Sequence, residues 1–186
     1  MLTTVKPVRQ PSSASNTDRD IERTAVFDPT GQYRYRLGRR WQAAGPTVTF
    51  IMLNPSTADA VQDDPTLRAC LQFAQRWEAA ALSVVNLFGY RTPHPSVLKT
   101  AVDPIGAEND AYVMRAVDEA ERVILAWGNF GGWLGRDRVI LNLLTAHKDK
   151  LHYLQRNKSG QPRHPLYIKR ELPLQPFAVD QLKATH

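Results

Sequence analysis

Asn54, Asn86 and His164 are the side chains best placed to do chemistry in this chain. The apolar run 48–53, Val-Thr-Phe-Ile-Met-Leu, stops at Asn54, and Pro55 has no N–H with which to continue a strand. A carboxamide at that point can orient a water or a polar ligand. It can equally start a turn that the Ser56 and Thr57 hydroxyls cap, and spacing alone favours the turn. Asn86 closes a second apolar run, Leu82-Ser83-Val84-Val85. Its amide offers both a donor and an acceptor, which suits reading the edge of a base or tying two buried loops together. His164 stands before Pro165 in a basic loop, where an isolated histidine is by default a surface residue. Asp59, Asp63 and Asp64 form an acidic group suited to helix entry and capping more than to a magnesium cage, although one of them can assist catalysis.

Several familiar chemistries are excluded by pattern. The five histidines show neither H-x-x-x-H nor HExxH spacing, and Cys70 alone builds neither a thiolate site nor a disulfide. There is no phosphate-loop G-x-x-x-x-G-K, no G-x-G-x-x-G and no G-x-S-x-G around Ser56. The expectation is a protein with no metal and no cofactor.

The elements that must position these residues follow from periodicity. Three apolar runs, 48–53, 82–85 and 122–126, each end in polar or turn residues. If they lie parallel, Asn54, Asn86 and the 127–129 turn converge on one crevice. Asp64 before Pro65 starts a helix whose Leu67, Cys70, Leu71, Ala74 and Trp77 face the sheet. The same grammar at Asp103-Pro104 predicts a second helix, and the spacing predicts a third over about 133–147. Residues 151–154 read as a short fourth strand. The segments 24–27 and 33–37 flank Asp28-Pro29-Thr30-Gly31-Gln32, a hairpin signal. The fold class is therefore α/β: a single three-layer domain over 21–186, with a central, mostly parallel four-stranded sheet, helices on both faces and an N-terminal β-hairpin. Residues 1–20, polar and without periodicity, read as a flexible arm.

At 186 residues, 42% hydrophobic and 23% charged, the composition is that of an ordinary globular chain. No apolar run has the length of a membrane span, and the N-terminus lacks the apolar core of a signal peptide. With a single cysteine, this points to the cytoplasm and away from a membrane partner. The net charge of +6 is concentrated in Arg34, Arg36, Arg39 and Arg40 and in the stretch from His147 to Arg170. Either cluster alone reads as a solvated face; two of them flanking a polar crevice raise the case for phosphate contacts.

Across 24–177 the chain resembles a bacterial family catalogued as domain of unknown function 1643. The residues that carry the resemblance are Tyr33-Arg34-Tyr35, Leu53-Asn54-Pro55-Ser56-Thr57-Ala58-Asp59, Asp63-Asp64-Pro65-Thr66, Asn86-Leu87-Phe88, Asp103-Pro104-Ile105-Gly106, Ala126-Trp127-Gly128 and His164-Pro165-Leu166-Tyr167. More distantly, the order of its strand-end motifs is similar to that of the uracil-DNA glycosylase superfamily. Asn54-Pro55 is similar to the first catalytic turn of the mismatch-specific branch, Asn86 to the base-reading asparagine, and Trp127-Gly128 to a glycine turn ending a strand. His164-Pro165 is similar to the late loop that enters the minor groove. Leu53 departs from the usual glycine, and Leu166 from the usual serine.

That second resemblance implies a uracil-DNA glycosylase-like fold and a hydrolase cleaving the N-glycosidic bond of a damaged or modified base in DNA. Asn54 and His164 would be catalytic with Asp59 as helper. Pro55, Ser56, Asn86, Phe88, Tyr90, Trp127, Gly128, Leu166 and Tyr167 would bind the flipped base or fill its gap. Arg34, Arg36, Arg39, Arg163 and Lys169 would hold phosphates of a DNA partner, and the protein would act as a monomer. The alternatives are a non-catalytic nucleic-acid or nucleotide-binding module on the same fold, or a hydrolase of free nucleotides or nucleosides.

Overall fold

The structure is a computed structural model that describes residues 21–178. Its strands are β1 (Glu22–Phe27), β2 (Arg34–Arg40), β3 (Thr47–Met52), β4 (Ala81–Asn86), β5 (Arg122–Leu125), β6 (Leu151–Tyr153) and β7 (Gln175–Pro176). The helices are α1 (Pro65–Arg76), α2 (Asn109–Asp118) and α3 (Arg136–Leu143). The arm read over 1–20 lies outside the described residues.

In β3 the side chains of Val48, Phe50 and Met52 alternate with those of Thr49 and Ile51, and all five are buried. A strand apolar on both faces has to be covered on both, which places it inside a sheet. On one side Val48, Phe50, Leu82, Val84 and Ile124 pack against Leu67, Cys70 and Phe73 of α1. On the other, Ile51, Val85, Val123 and Leu125 pack against Val113, Ala116 and Val117 of α2 and Ile140 and Leu141 of α3. This is a three-layer α/β arrangement.

Among the described residues the sheet has seven strands, in the order β1-β2-β4-β3-β5-β6-β7, and not the four expected from the sequence. The four expected strands are its parallel centre, β4-β3-β5-β6. The hairpin β1-β2 joins the same sheet because β2 runs antiparallel to β4, and β7 closes the far edge antiparallel to β6. Hairpins and parallel runs were legible separately; that they share one hydrogen-bonded sheet depends on edge pairing over long sequence separations.

From β3 the chain steps outward through α1 to β4, then crosses back over β3 through α2 to β5. The winding direction therefore reverses between β3 and β5. In open α/β sheets the crevice outside such a reversal, at the carboxyl ends of the strands, is where ligands bind.

Local chemistry explains where the helices start. Asp64 Oδ1 accepts from the Leu67 N–H at 2.7 Å, the capping expected. The Asp103-Pro104 site does not start α2. Asp103 Oδ1 accepts from the N–H groups of Ile105 and Gly106, making a turn, and Gly106 sits at φ +85, so the helix begins only at Asn109. The third helix is shorter than the spacing predicted. Trp133 is extended (ψ 135) and Leu134 left-handed (φ 54), which delays α3 to Arg136, and a 3₁₀ turn over Leu144–Lys150 completes the segment.

One irregularity in the hairpin matters for the site. β1 and β2 pair in register from Glu22↔Arg40 to Val26↔Arg36, but Phe27 then faces Arg34, leaving Tyr35 as an extra residue. Such a bulge resets side-chain alternation. Tyr35 stacks on Tyr112 of α2 at 5.2 Å, while Arg34 lies with Leu37 and Val84, residues of the α1 face.

Candidate functional site

Outside the carboxyl ends of β3 and β5 lies a cleft of about 570 Å³. Its walls include Asn54, Ser56, Thr92, Trp127, Gly128, Asn129, Phe130, Arg163, His164, Leu166 and Tyr167. Behind it a recess of about 60 Å³ runs down the α1 face of the sheet, lined by Arg34, Asp64, Thr66, Val84 and Asn86. Met52, Asn54, Ser56, Thr66 and His164 border both spaces. Asn54 and His164 thus stand where the cleft passes into the recess, and Asn86 lies within it. The single crevice expected from three strand ends is instead two spaces: Asn54 borders both, the 127–129 turn lines only the cleft, and Asn86 lines only the recess.

Asn54 is held by its own amide. Nδ2 donates to the Thr92 carbonyl at 2.7 Å and the Pro55 carbonyl at 3.0 Å. Two carbonyl partners fix which end of the amide is nitrogen, so Oδ1 is the group left to accept from a water or ligand. The turn-forming and ligand-orienting roles, alternatives in the sequence, are filled by opposite ends of one side chain. Thr92, which sequence reasoning passed over, is the support.

His164 caps the short 3₁₀ turn Pro165–Tyr167: the Leu166 N–H approaches its Nδ1 at 3.4 Å. Accepting at Nδ1 puts the neutral ring's proton on Nε2. Burial lowers the imidazole pKa from its ordinary value, opposed by the nearby Asp64 carboxylate. The loop is anchored to α1 by Arg170, whose guanidinium bonds the Pro165 carbonyl at 3.1 Å and Gln72 at 2.9 Å and lies over the Phe73 ring.

The β5 side is tightly packed. Trp127 is buried, and its indole N–H donates to Gln161 at 2.7 Å; Gln161 in turn donates to Asp137 at 2.7 Å. Gly131 passes so close that a Cβ there would meet Trp127 Cδ1 at 2.0 Å. Gly128, at φ +75, donates its N–H to the Pro162 carbonyl at 2.8 Å. The chain thereby closes the strand end against the 157–163 loop.

Other predicted residues lie apart from this pair. Phe88 is fully buried and packs on Trp133 in the opposite core, so it offers no face to the cleft. Tyr90 meets Tyr33 edge-on at 5.8 Å and, with Arg91, lines a surface hollow on the far side of Ser56 and Pro93, which border both it and the cleft. Asp59 is outside the cleft: its Oδ1 accepts from Val61 and Gln62 N–H groups, and these bonds, Gln62 first, hold its carboxyl below the usual range. Pro55 is buried beneath the turn, whereas Leu166 and the exposed Tyr167 line the rim.

The first basic cluster is not a surface stripe. Arg39 is buried against Asp63 at 2.7 Å, and Arg36 pairs with Glu119 at 2.5 Å and with Ser83 at 2.8 Å, away from the cleft. Arg34 is 3% exposed and donates to the Ala58 carbonyl. Neither Arg34 nor Arg39 lies on an open surface of the described residues. Arg163 lines the cleft and bonds Gln155 at 3.1 Å, and Lys169 is exposed. Among the described residues no cluster of His, Cys, Asp and Glu could hold a metal, and no helix is long and apolar enough to cross a membrane.

A family model described as "Protein of unknown function (DUF1643)" matches residues 34–166. No curated protein and no solved structure gives a significant match.

Proposed function

Because the chain belongs to the DUF1643 family, whose description carries no activity, we propose a function from the site itself: hydrolysis of the N-glycosidic bond of a damaged or modified base in DNA. The observation that carries this reading is the pairing of Asn54 and His164 at the passage from cleft to recess, with Asn86 inside. The motif order similar to the uracil-DNA glycosylase superfamily supports it and suggests the same fold type.

In this reaction the bond from C1′ to the base nitrogen breaks, and both electrons leave with the base. The sugar gains oxocarbenium character, as in glycoside hydrolysis generally. A water accepted by Asn54 Oδ1 supplies the oxygen that bonds to C1′, and its proton passes to the departed base or to solvent. His164, neutral with Nε2–H, donates to the oxygen on which the base's negative charge develops, an electrostatic role that needs no imidazolium. An amide is a weak proton acceptor; among the described residues no carboxylate lines the cleft, and Asp64 in the recess uses Oδ1 to cap α1, so turnover should be slow. Asn86 Nδ2 pairs with the extruded base, and Leu166 and Tyr167 on the rim occupy the gap it leaves.

Burial of Arg34 and Arg39 favours a second reading, a hydrolase of free nucleosides or nucleotides, which needs fewer phosphate contacts. Comparing free nucleosides with oligonucleotides separates the two. Asn54→Ala should abolish base release while leaving DNA binding largely intact. Parallel loss of both would move the assignment to a binding module.

A further inference from the structure

The recess holds two buried donors with no hydrogen-bond partner: Arg34 Nε and Asn86 Nδ2. Their residues are 3% and 1% exposed, and both line the same space. An unmatched buried donor normally costs about 1–3 kcal/mol, more for a charged one, so a pair of them in one recess is suited to an oxygen acceptor. Arg34 is no accident of β2 packing, since the extra residue at Tyr35 is what turns it to this face.

We infer that the recess is a recognition site for an acceptor-only oxygen group of the ligand, a carbonyl or a carboxylate, held jointly by Arg34 and Asn86. Arg34 is its specificity-determining residue. The inference rests on the cleft being a ligand site as read above, but not on bond cleavage. A group carrying its own hydrogens, such as an exocyclic amine, would set donor against donor and be rejected. The electrostatics agree with an acceptor. One Arg34 nitrogen, Nη1, is already committed to the Ala58 carbonyl, and Asp64, the nearby carboxylate, uses Oδ1 to cap α1. Burial pushes the Arg34 guanidinium down to about 10, opposed first by Asp64, so it is still charged at neutral pH. The α1 N-terminus, at Thr66 and Leu67, adds positive potential to the same wall. The volume admits a group of a few heavy atoms, while the rest of the ligand lies in the cleft.

The test follows the Arg34 Nε–H resonance by NMR in the full-length wild-type protein, so no variant has to fold. Formate is the charged acceptor-only probe and dimethyl sulfoxide the uncharged one, with sodium chloride at matched ionic strength as control. The expected result is a saturable downfield move of the Arg34 Nε–H proton with at least one probe and none with chloride. A response to formate alone assigns the site to a carboxylate; a response to dimethyl sulfoxide assigns it to a carbonyl. No response to either probe overturns the inference. Failure of the hydrolase reading looks different: altered-base oligonucleotides would stay uncut while the probe response persists. Base release with an unmoved Arg34 resonance would overturn the inference and leave the hydrolase reading standing.

Discussion

At the scale of single residues, the site divides its work between the two ends of small side chains. Asn54 spends Nδ2 on the Thr92 and Pro55 carbonyls and keeps Oδ1 for the cleft. Asn54→Ala therefore removes both a function and a support. It should cost about 1 kcal/mol of stability per lost hydrogen bond and eliminate base release, checked by urea unfolding beside single-turnover cleavage. Asn54→Asp is the poorer probe, because a carboxylate would face two carbonyls. His164 makes a pH prediction with a definite sign. Burial lowers its folded pKa, so below the ordinary histidine value the unfolded chain takes up a proton that the folded chain refuses. Its contribution to stability is fully present above that ordinary value and is lost as pH falls toward the lowered one. Denaturant midpoints between pH 7 and 5 should fall more steeply for the wild type than for His164→Gln. Equal slopes would mean that His164 is not buried neutral.

At the scale of elements, the strand ends are only as well placed as the turns that stop them. Gly131 lies against the Trp127 ring, and Gly131→Ala should push the indole off Gln161 at a cost of about 1–3 kcal/mol, the usual range for overpacking. A lowered unfolding midpoint with altered tryptophan emission is the expected signature. How much of this was legible in the sequence depended on how local the cause was. The Asp64 cap, the four parallel strands and the meeting of their ends followed from spacing and from the missing N–H of Pro55 and Pro65. The start of α2 did not, because Asp103 serves an Asx turn as well as it serves a helix cap, and only Gly106 at positive φ decides between them. Arg34 was read as an exposed partner of Arg36 because alternation hides a bulge: one extra residue, Tyr35, reverses which face each side chain meets. Phe88 follows the Asn86 strand end as a site residue would, but the chain has by then turned it into the α2–α3 core.

At the scale of the whole molecule, net charge is a poor guide to a binding face until the internal pairs are subtracted. Arg39→Ala should destabilise the fold by about 3 kcal/mol, the low end for a broken buried pair, since Arg23 still meets Asp63 at 2.8 Å. It should leave the salt dependence of DNA binding unchanged. Arg163→Ala, on the cleft wall, should do the reverse, reducing the slope of log affinity against log salt by about one with little loss of stability. Salt titrations of both variants, with unfolding curves, distinguish a structural cation from a contacting one. The most direct test of the central claim uses end-labelled oligonucleotides carrying uracil, hypoxanthine, hydroxymethylated and other altered bases, incubated with the protein and then cleaved with alkali at any abasic site. The account predicts a cut at an altered base with wild-type protein and none with Asn54→Ala. Binding of these oligonucleotides with no cut at any altered base would contradict it.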